Sequence, residues 1–271
     1  SGTMNIPEPQ AGSDVGALTT KAVPQNDGTY RIFGTKIFIT YGEHELTENI
    51  IQLVLARTPD SPPGTKGISC FIVPKYLVGD DGTLGERNDY KCLSVEHKLG
   101  LHASPTCVIS YGDSGEGAIG YLIGEEHQGM RYMFKMMNNA RLGVGVEGLA
   151  VAEGALQHAA AFALERRQGR AVGAPAGEQS TIVDHPDVRR MLLTMRAYTD
   201  AMRCVLYANA AALDVAKRHP DPDARQLAAD RAELLTPISK AWCTDLGVEL
   251  TSLGIQAVSY THLTLPTNRE V

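Results

Sequence analysis

From about Leu18 to Asp113, apolar residues gather in short runs rich in Val, Ile, Tyr and Phe, the make-up of β-strands. Thr19–Val23 and Thr29–Phe33 flank Asn26-Asp27-Gly28, whose Asp-Gly step supplies the positive φ a tight hairpin needs. Further runs at Lys36–Thr40, Asn49–Arg57, Gly67–Val73, Tyr90–His97 and Thr106–Tyr111 are separated by Gly, Pro and Asp turns. Such spacing predicts an antiparallel barrel or sandwich and not a βαβ fold.

From about Gly129 the pattern changes. One helix is predicted over Met130–Gln168, and a second starts near Pro186, a residue suited to a first helical turn. The second places Val188, Met191, Leu192, Met195, Tyr198, Met202, Val205 and Leu206 on one face. A third, Asp223–Ser252, contains Pro237, which predicts a kink. Three such helices ask for a fourth to close a bundle, and the pattern shows none. The expected fold is therefore α+β: an antiparallel β-barrel or sandwich over 1–124, then an incomplete up-down helical bundle over 125–256. Residues 257–271, AVSYTHLTLPTNREV, are Thr-rich with no helical period and are expected to be a non-native or disordered tail.

Composition narrows the function classes. The 271 residues are 43% hydrophobic and 21% charged, with a net charge of −6 and a pI near 5.8. No basic stripe is present, which argues against nucleic acid as a partner. The five cysteines form no C-x-x-C pair, and Cys70 and Cys107 sit in apolar runs, as small buried hydrophobes in a reducing compartment do. With no 18-residue apolar run and no signal-peptide pattern, no membrane span and a cytoplasmic location are expected.

Most chemical motifs fail on context. Gly143-Val-Gly145-Val-Glu-Gly148 matches G-x-G-x-x-G, but a dinucleotide loop must follow a strand, and this match lies inside a helix, where small residues allow close packing. His97 and His102 lack metal-ligand spacing, so no metal is expected. Neither a G-x-S-x-G elbow nor a P-loop occurs. What remains is Glu8-Pro-Gln-Ala-Gly-Ser-Asp14, a loop whose Gly12 and Ser13 can offer backbone N–H groups and a hydroxyl to a phosphate or a ring edge. One hairpin later, Phe38 and Thr40 share a strand face, setting an aromatic ring beside a hydroxyl.

In that pairing the sequence closely resembles the acyl-CoA dehydrogenase family, whose middle β-domain carries a T-E-P-x-A-G-S-D loop, then a [WF]-I-T strand, then a helical bundle. The resemblance runs in order from about Gly2 to Gln256. It implies FAD, with its isoalloxazine between β-domain and bundle. By resemblance, Met4, Ile6, Pro7, Gly12 and Ser13 line the flavin, and Ser13 also faces the acyl-CoA thioester arm. Phe38 takes the place of the aromatic at the ring edge, within the strand segment Phe38-Ile39-Thr40, and Thr40 that of the hydroxyl at flavin N5. Asn138 and Arg141, in a segment matching NNAR, would meet the CoA side. Arg166 would bind the FAD pyrophosphate across a subunit boundary, with Gln256 and His185 as further contacts of that kind. A homodimer or homotetramer, and electron-transfer flavoprotein as electron acceptor, are implied as well.

The sequence departs from the family in three places. Pro7 stands where the family usually has Thr, removing a hydroxyl and an N–H. The family's N-terminal helical domain is expected to be missing from this chain. The family's catalytic Glu lies beyond the segment where the resemblance stops, and the position some members use instead is Ala140. The reaction implied is α-proton abstraction beside a thioester with β-hydride transfer to flavin N5, giving the 2,3-enoyl-CoA, in a parent protein of which this chain is an inactive piece. Three alternatives stay open: a DNA-damage-protection member of the superfamily, which would need a basic surface; a binding-only scaffold, which would lack flavin absorbance; and an acyl-CoA oxidase, which would let oxygen reach the reduced flavin.

Overall fold

The computed structural model describes residues 1–258. They form two compact units, Ser1–Lys135 and one from Met136 onward, and the division falls inside a long helix.

The first unit holds ten strands: β1 (Gly2–Asn5), β2 (Lys21–Pro24), β3 (Tyr30–Thr40), β4 (Ile51–Arg57), β5 (Ile68–Pro74), β6 (Tyr76–Val78), β7 (Leu84–Arg87), β8 (Tyr90–Val95), β9 (Thr106–Tyr111) and β10 (Ala118–Leu122). β6 and β7 form a separate hairpin, and the other eight join one sheet in the order β1-β4-β5-β10-β3-β9-β8. β2 pairs with both β3 and β4, so the path β4-β5-β10-β3-β2 returns to β4 and closes a barrel. The closure is thin. β2 meets β4 at the single pair Lys21↔Arg57, whereas β4 and β5 share seven pairs. Beside that seam the Arg57 guanidinium donates to the carbonyls of Gly16, Leu18, Pro62 and Gly64. Inside lies an apolar core that includes Ala22, Ile32, Ile39, Val54, Phe71, Val73, Cys107, Ile109 and Tyr111.

The barrel is not wholly antiparallel: β1 runs parallel to β4, and the Lys21↔Arg57 rung is parallel too. β1 and β10 escape the pattern of apolar runs because each is short and gains its partner from a distant part of the chain. The runs at 29–33 and 36–40 are one strand, with Gly34 at φ +148° inside it and a register shift between Lys36 and Ile39. Thr19 and Thr20 lie outside β2 for a chemical reason: both amides donate to the Glu8 carboxylate instead of to a ladder.

Three long helices follow: α1 (Gly129–Glu165), α2 (Pro186–Arg218) and α3 (Pro222–Val258). α2 begins on its proline and buries Met195, Met202 and Leu206 of the predicted stripe, while Tyr198 of that stripe is exposed. α3 continues through Pro237 and past the expected end at Ser252, and Ala257 packs in the helical core. The rest of the expected tail lies outside the described residues. That core joins Leu149, Ala152, Leu156 and Ala159 of α1 to Met195, Met202 and Leu206 of α2 and Cys243, Leu246 and Leu250 of α3. The G-x-G-x-x-G segment is a packing device. A side chain on Gly148 would run into the Cys243 carbonyl, and one on Gly145 would sit 2.9 Å from the Ser239 carbonyl, while Gly143 faces open space. Cys70 and Cys107 are buried as their apolar runs suggest, Cys243 is buried in α3, and Cys204 is exposed on α2.

Candidate functional site

The loop Glu8–Asp14 is anchored by a buried carboxylate. Glu8 is 2% exposed. Its Oε2 accepts from Gln10 Nε2 (2.7 Å), Thr19 N (2.7 Å) and Thr19 Oγ1 (2.9 Å). Its Oε1 accepts from Thr20 N (3.1 Å), Thr20 Oγ1 (2.6 Å) and Lys36 Nζ (2.9 Å). Burial by itself raises the carboxyl pKa, but the Lys36 charge and the donors from Thr20, Lys36 and Thr19 outweigh it and hold the group at about 2. Lys36 is fully buried, and desolvation lowers its ammonium to about 8 although Glu8 opposes the change. Both groups are charged at neutral pH.

This anchor fixes the turn above it. Glu8 N donates to Ala11 O (3.1 Å) and Ala11 N to Glu8 O (3.0 Å), so the chain folds back and leaves Gly12 and Ser13 exposed. Among the described residues no protein group bonds the Gly12 or Ser13 amides or the Ser13 hydroxyl, and a Cβ on Gly12 would meet nothing within 4 Å. The loop therefore presents unused donors beside open space.

β3 passes directly behind. Ile37 N donates to Pro7 O (2.9 Å), Lys36 Nζ to Ile6 O (3.0 Å), and Thr3 Oγ1 to Thr40 O (2.6 Å). The bulge between Lys36 and Ile39 puts Phe38 at φ +57°, where an aromatic residue is strained, and leaves the residue 58% exposed. Thr40 is exposed two residues on, and Ile39 between them is wholly buried in the barrel core, so only its backbone can face a ligand. Met4, Ile6 and Pro7 are half-buried along the same approach. The two segments that the sequence singles out are thus neighbours in the barrel.

The remaining candidates lie in the second unit. Arg141 Nη1 donates to Asn138 Oδ1 (3.2 Å), one turn apart on α1. Beyond α1 the chain turns back on itself, Arg167 bridging Thr181 and Ile182 N donating to Arg166 O (2.8 Å). Arg166 Nη2 reaches Gln168 Oε1 (3.2 Å) and His185 Nε2 lies 2.8 Å from the Gln168 carbonyl, so this turn gathers Arg166 and His185 around one residue. Gln256 is exposed near the end of α3.

Lys36, Thr19 and Thr20 were not among the candidates. A signal existed: Lys36 is in phase with the buried Ile32 on an otherwise apolar strand face. The partner that makes it tolerable is 28 residues upstream, beyond any local pattern. No group of His, Cys, Asp or Glu among the described residues could hold a metal ion. No described helix is long and apolar enough to cross a membrane.

A β-barrel unit followed by a unit of long helices defines an α+β fold class, and comparison with known proteins names the family. The acyl-CoA dehydrogenase middle domain matches residues 3–113 and the acyl-CoA dehydrogenase C-terminal domain matches 127–261. This chain belongs to the acyl-CoA dehydrogenase family. It is 54% identical over 256 residues to the 3-methylmercaptopropionyl-CoA dehydrogenase of Ruegeria pomeroyi, covering 94% of this chain and 43% of that protein. Among solved structures it superposes on Caenorhabditis elegans ACDH-11 in complex with C11-CoA, with a TM-score of 0.77 and 24% identity over 94% of this chain and 40% of the other. It also superposes on PigA with FAD and proline, with a TM-score of 0.74 and 21% identity over 97% of this chain and 58% of the other. Those two likenesses establish the fold. The chain spans less than half the length of the Ruegeria relative.

Proposed function

We propose that this chain is the flavin- and thioester-binding part of an FAD-dependent acyl-CoA dehydrogenase that converts an acyl-CoA to its 2,3-enoyl-CoA. The observation that carries the reading is the Glu8–Ser13 turn, with unused N–H and hydroxyl donors, tied through Pro7 O to the strand that exposes Phe38 and Thr40. The residues fit the cofactor. A flavin edge carries carbonyl and ring-nitrogen acceptors on either side of one N–H donor, and those acceptors need amide and hydroxyl donors next to an apolar wall.

Bound FAD would supply the two-electron acceptor for the β-hydride. The chain's own groups do the rest. Gly12 and Ser13 hold the ring edge, Met4, Ile6 and Pro7 line its approach, and Thr40 gives a hydroxyl where negative charge develops. Phe38 excludes water on one side. Ser13 also meets the thioester, while Asn138 and Arg141 present a hydrogen-bonded amide and cation to the CoA portion. Arg166, His185 and Gln256 serve FAD across the boundary of a homodimer or homotetramer. Ala140 has no carboxylate, so these residues bind and orient without removing the α-proton. Electron-transfer flavoprotein is the electron acceptor of the complete enzyme, which works in the cytoplasm.

The purified chain should take up FAD, turning yellow with a saturable change in flavin fluorescence. Supplied anaerobically with a dye acceptor and a panel of acyl-CoAs, it should not reduce the dye. The Ruegeria relative supports putting 3-methylmercaptopropionyl-CoA first in that panel. Failure to bind flavin overturns the reading, and brisk dye reduction shows that the base lies within this chain.

A further inference from the structure

We infer that the buried Glu8–Lys36 pair is the positioning element of the flavin-binding turn, an inference that rests on the reading above. Stability alone does not call for charges here. A buried ion pair is desolvated at a cost of several kcal/mol per ion, and apolar side chains of similar volume often do as well or better. What the pair provides is direction. Lys36 Nζ spans Ile6 O (3.0 Å) and Glu8 Oε1 (2.9 Å), and the next residue, Ile37, donates its amide to Pro7 O (2.9 Å). Three consecutive residues of the loop are therefore held by two consecutive residues of β3.

The same strand then displays Phe38 and Thr40. A single clamp consequently sets both sides of the proposed ring site, the donors at Gly12 and Ser13 and the wall at Phe38 and Thr40. Pro7 makes the clamp necessary. It has no N–H, so this stretch of loop is tied to β3 through its carbonyls, and Lys36 supplies one of the two donors involved. The four donors from Thr19 and Thr20 stop the carboxylate from rotating away, and the Thr20 hydroxyl reaches it across Gly34, where a Cβ would lie 2.5 Å from Thr20 Oγ1. The pair is also neutral as a unit, so it orders the turn without adding net charge beneath the ring.

The test separates positioning from stability and is made on the full chain. FAD is titrated by fluorescence into the wild type first, and apo-protein Tm is measured alongside. The double variant Glu8→Gln/Lys36→Met removes both charges and leaves no unpaired ion. It should keep a Tm close to wild type while its FAD Kd rises about tenfold or more, and bound flavin should lose the vibronic shoulders of its visible band. An unchanged Tm with a Kd within about twofold of wild type overturns the inference. Should the double variant not fold, Thr20→Val decides the matter, because it keeps both charges and withdraws one donor from Oε1. A Kd raised about threefold at a temperature where the variant is still fully folded supports positioning, and an unaltered Kd overturns it. A wild-type chain that takes up no FAD overturns the flavin reading and this inference together, which distinguishes that failure from the others.

Discussion

Glu8 makes the barrel sensitive to acid. Its folded pKa of about 2 lies below the ordinary 4.5, so its contribution is fully present above pH 4.5 and is lost as pH falls toward 2. The difference corresponds to about 3 kcal/mol. Urea unfolding followed by the near-ultraviolet circular dichroism of the barrel tyrosines should show the midpoint falling steeply between pH 4.5 and 2. Glu8→Gln should flatten that dependence, and at pH 7 it should lie about 3 kcal/mol below wild type because Lys36 is left buried and unpaired. At this scale the sequence is only partly readable. Gly12, Ser13 and Thr40 declare themselves by residue type and order along the chain. Lys36 carries one local signal, its phase with the buried Ile32, but its neutralising carboxylate comes from a chain segment far away.

Local pattern serves best where an element's partners do not matter. The 3.6-residue period of α2 and the short apolar run of β9 between its flanking turns locate them from their own residues. β1 carries no such period, and the sequence divides β3 at Gly34, which the structure keeps inside one strand at a positive φ where Thr20 approaches too closely for a side chain. The glycines of α1 show why a motif must be read in its element. Gly143 has open space around it, so Gly143→Ala should raise stability by roughly 0.5–1 kcal/mol through reduced freedom of the unfolded chain. Gly148 lies against the Cys243 carbonyl and Thr244 Cα of α3, so Gly148→Ala should lower it by about 1–3 kcal/mol by forcing the helices apart. Paired thermal melts read by Trp242, which packs against the helical core, check both signs. A dinucleotide-binding role for this segment would instead make Gly143 as intolerant as Gly148.

At the level of the molecule, the class of fold was legible because short β-branched and aromatic runs give way once to long stretches of 3.6-residue period, and each half builds its own core. The ring closure was not. It depends on which strand meets which after the chain has folded, and β2 meets two partners of opposite sense. The turn around Arg166 was not legible either, because nothing local announces that the chain past α1 brings His185 back to Gln168.

A cylinder joined by one rung has a weak stave. Along that join, an arginine fork spread over four carbonyls takes the place of the missing ladder. Isotope exchange should find it first: amides of β2 should gain deuterium sooner than those shared by β4 and β5. Cutting the fork with Arg57→Ala should let the label run inward to Ala22 and Ile32 while the helical amides keep their original pace.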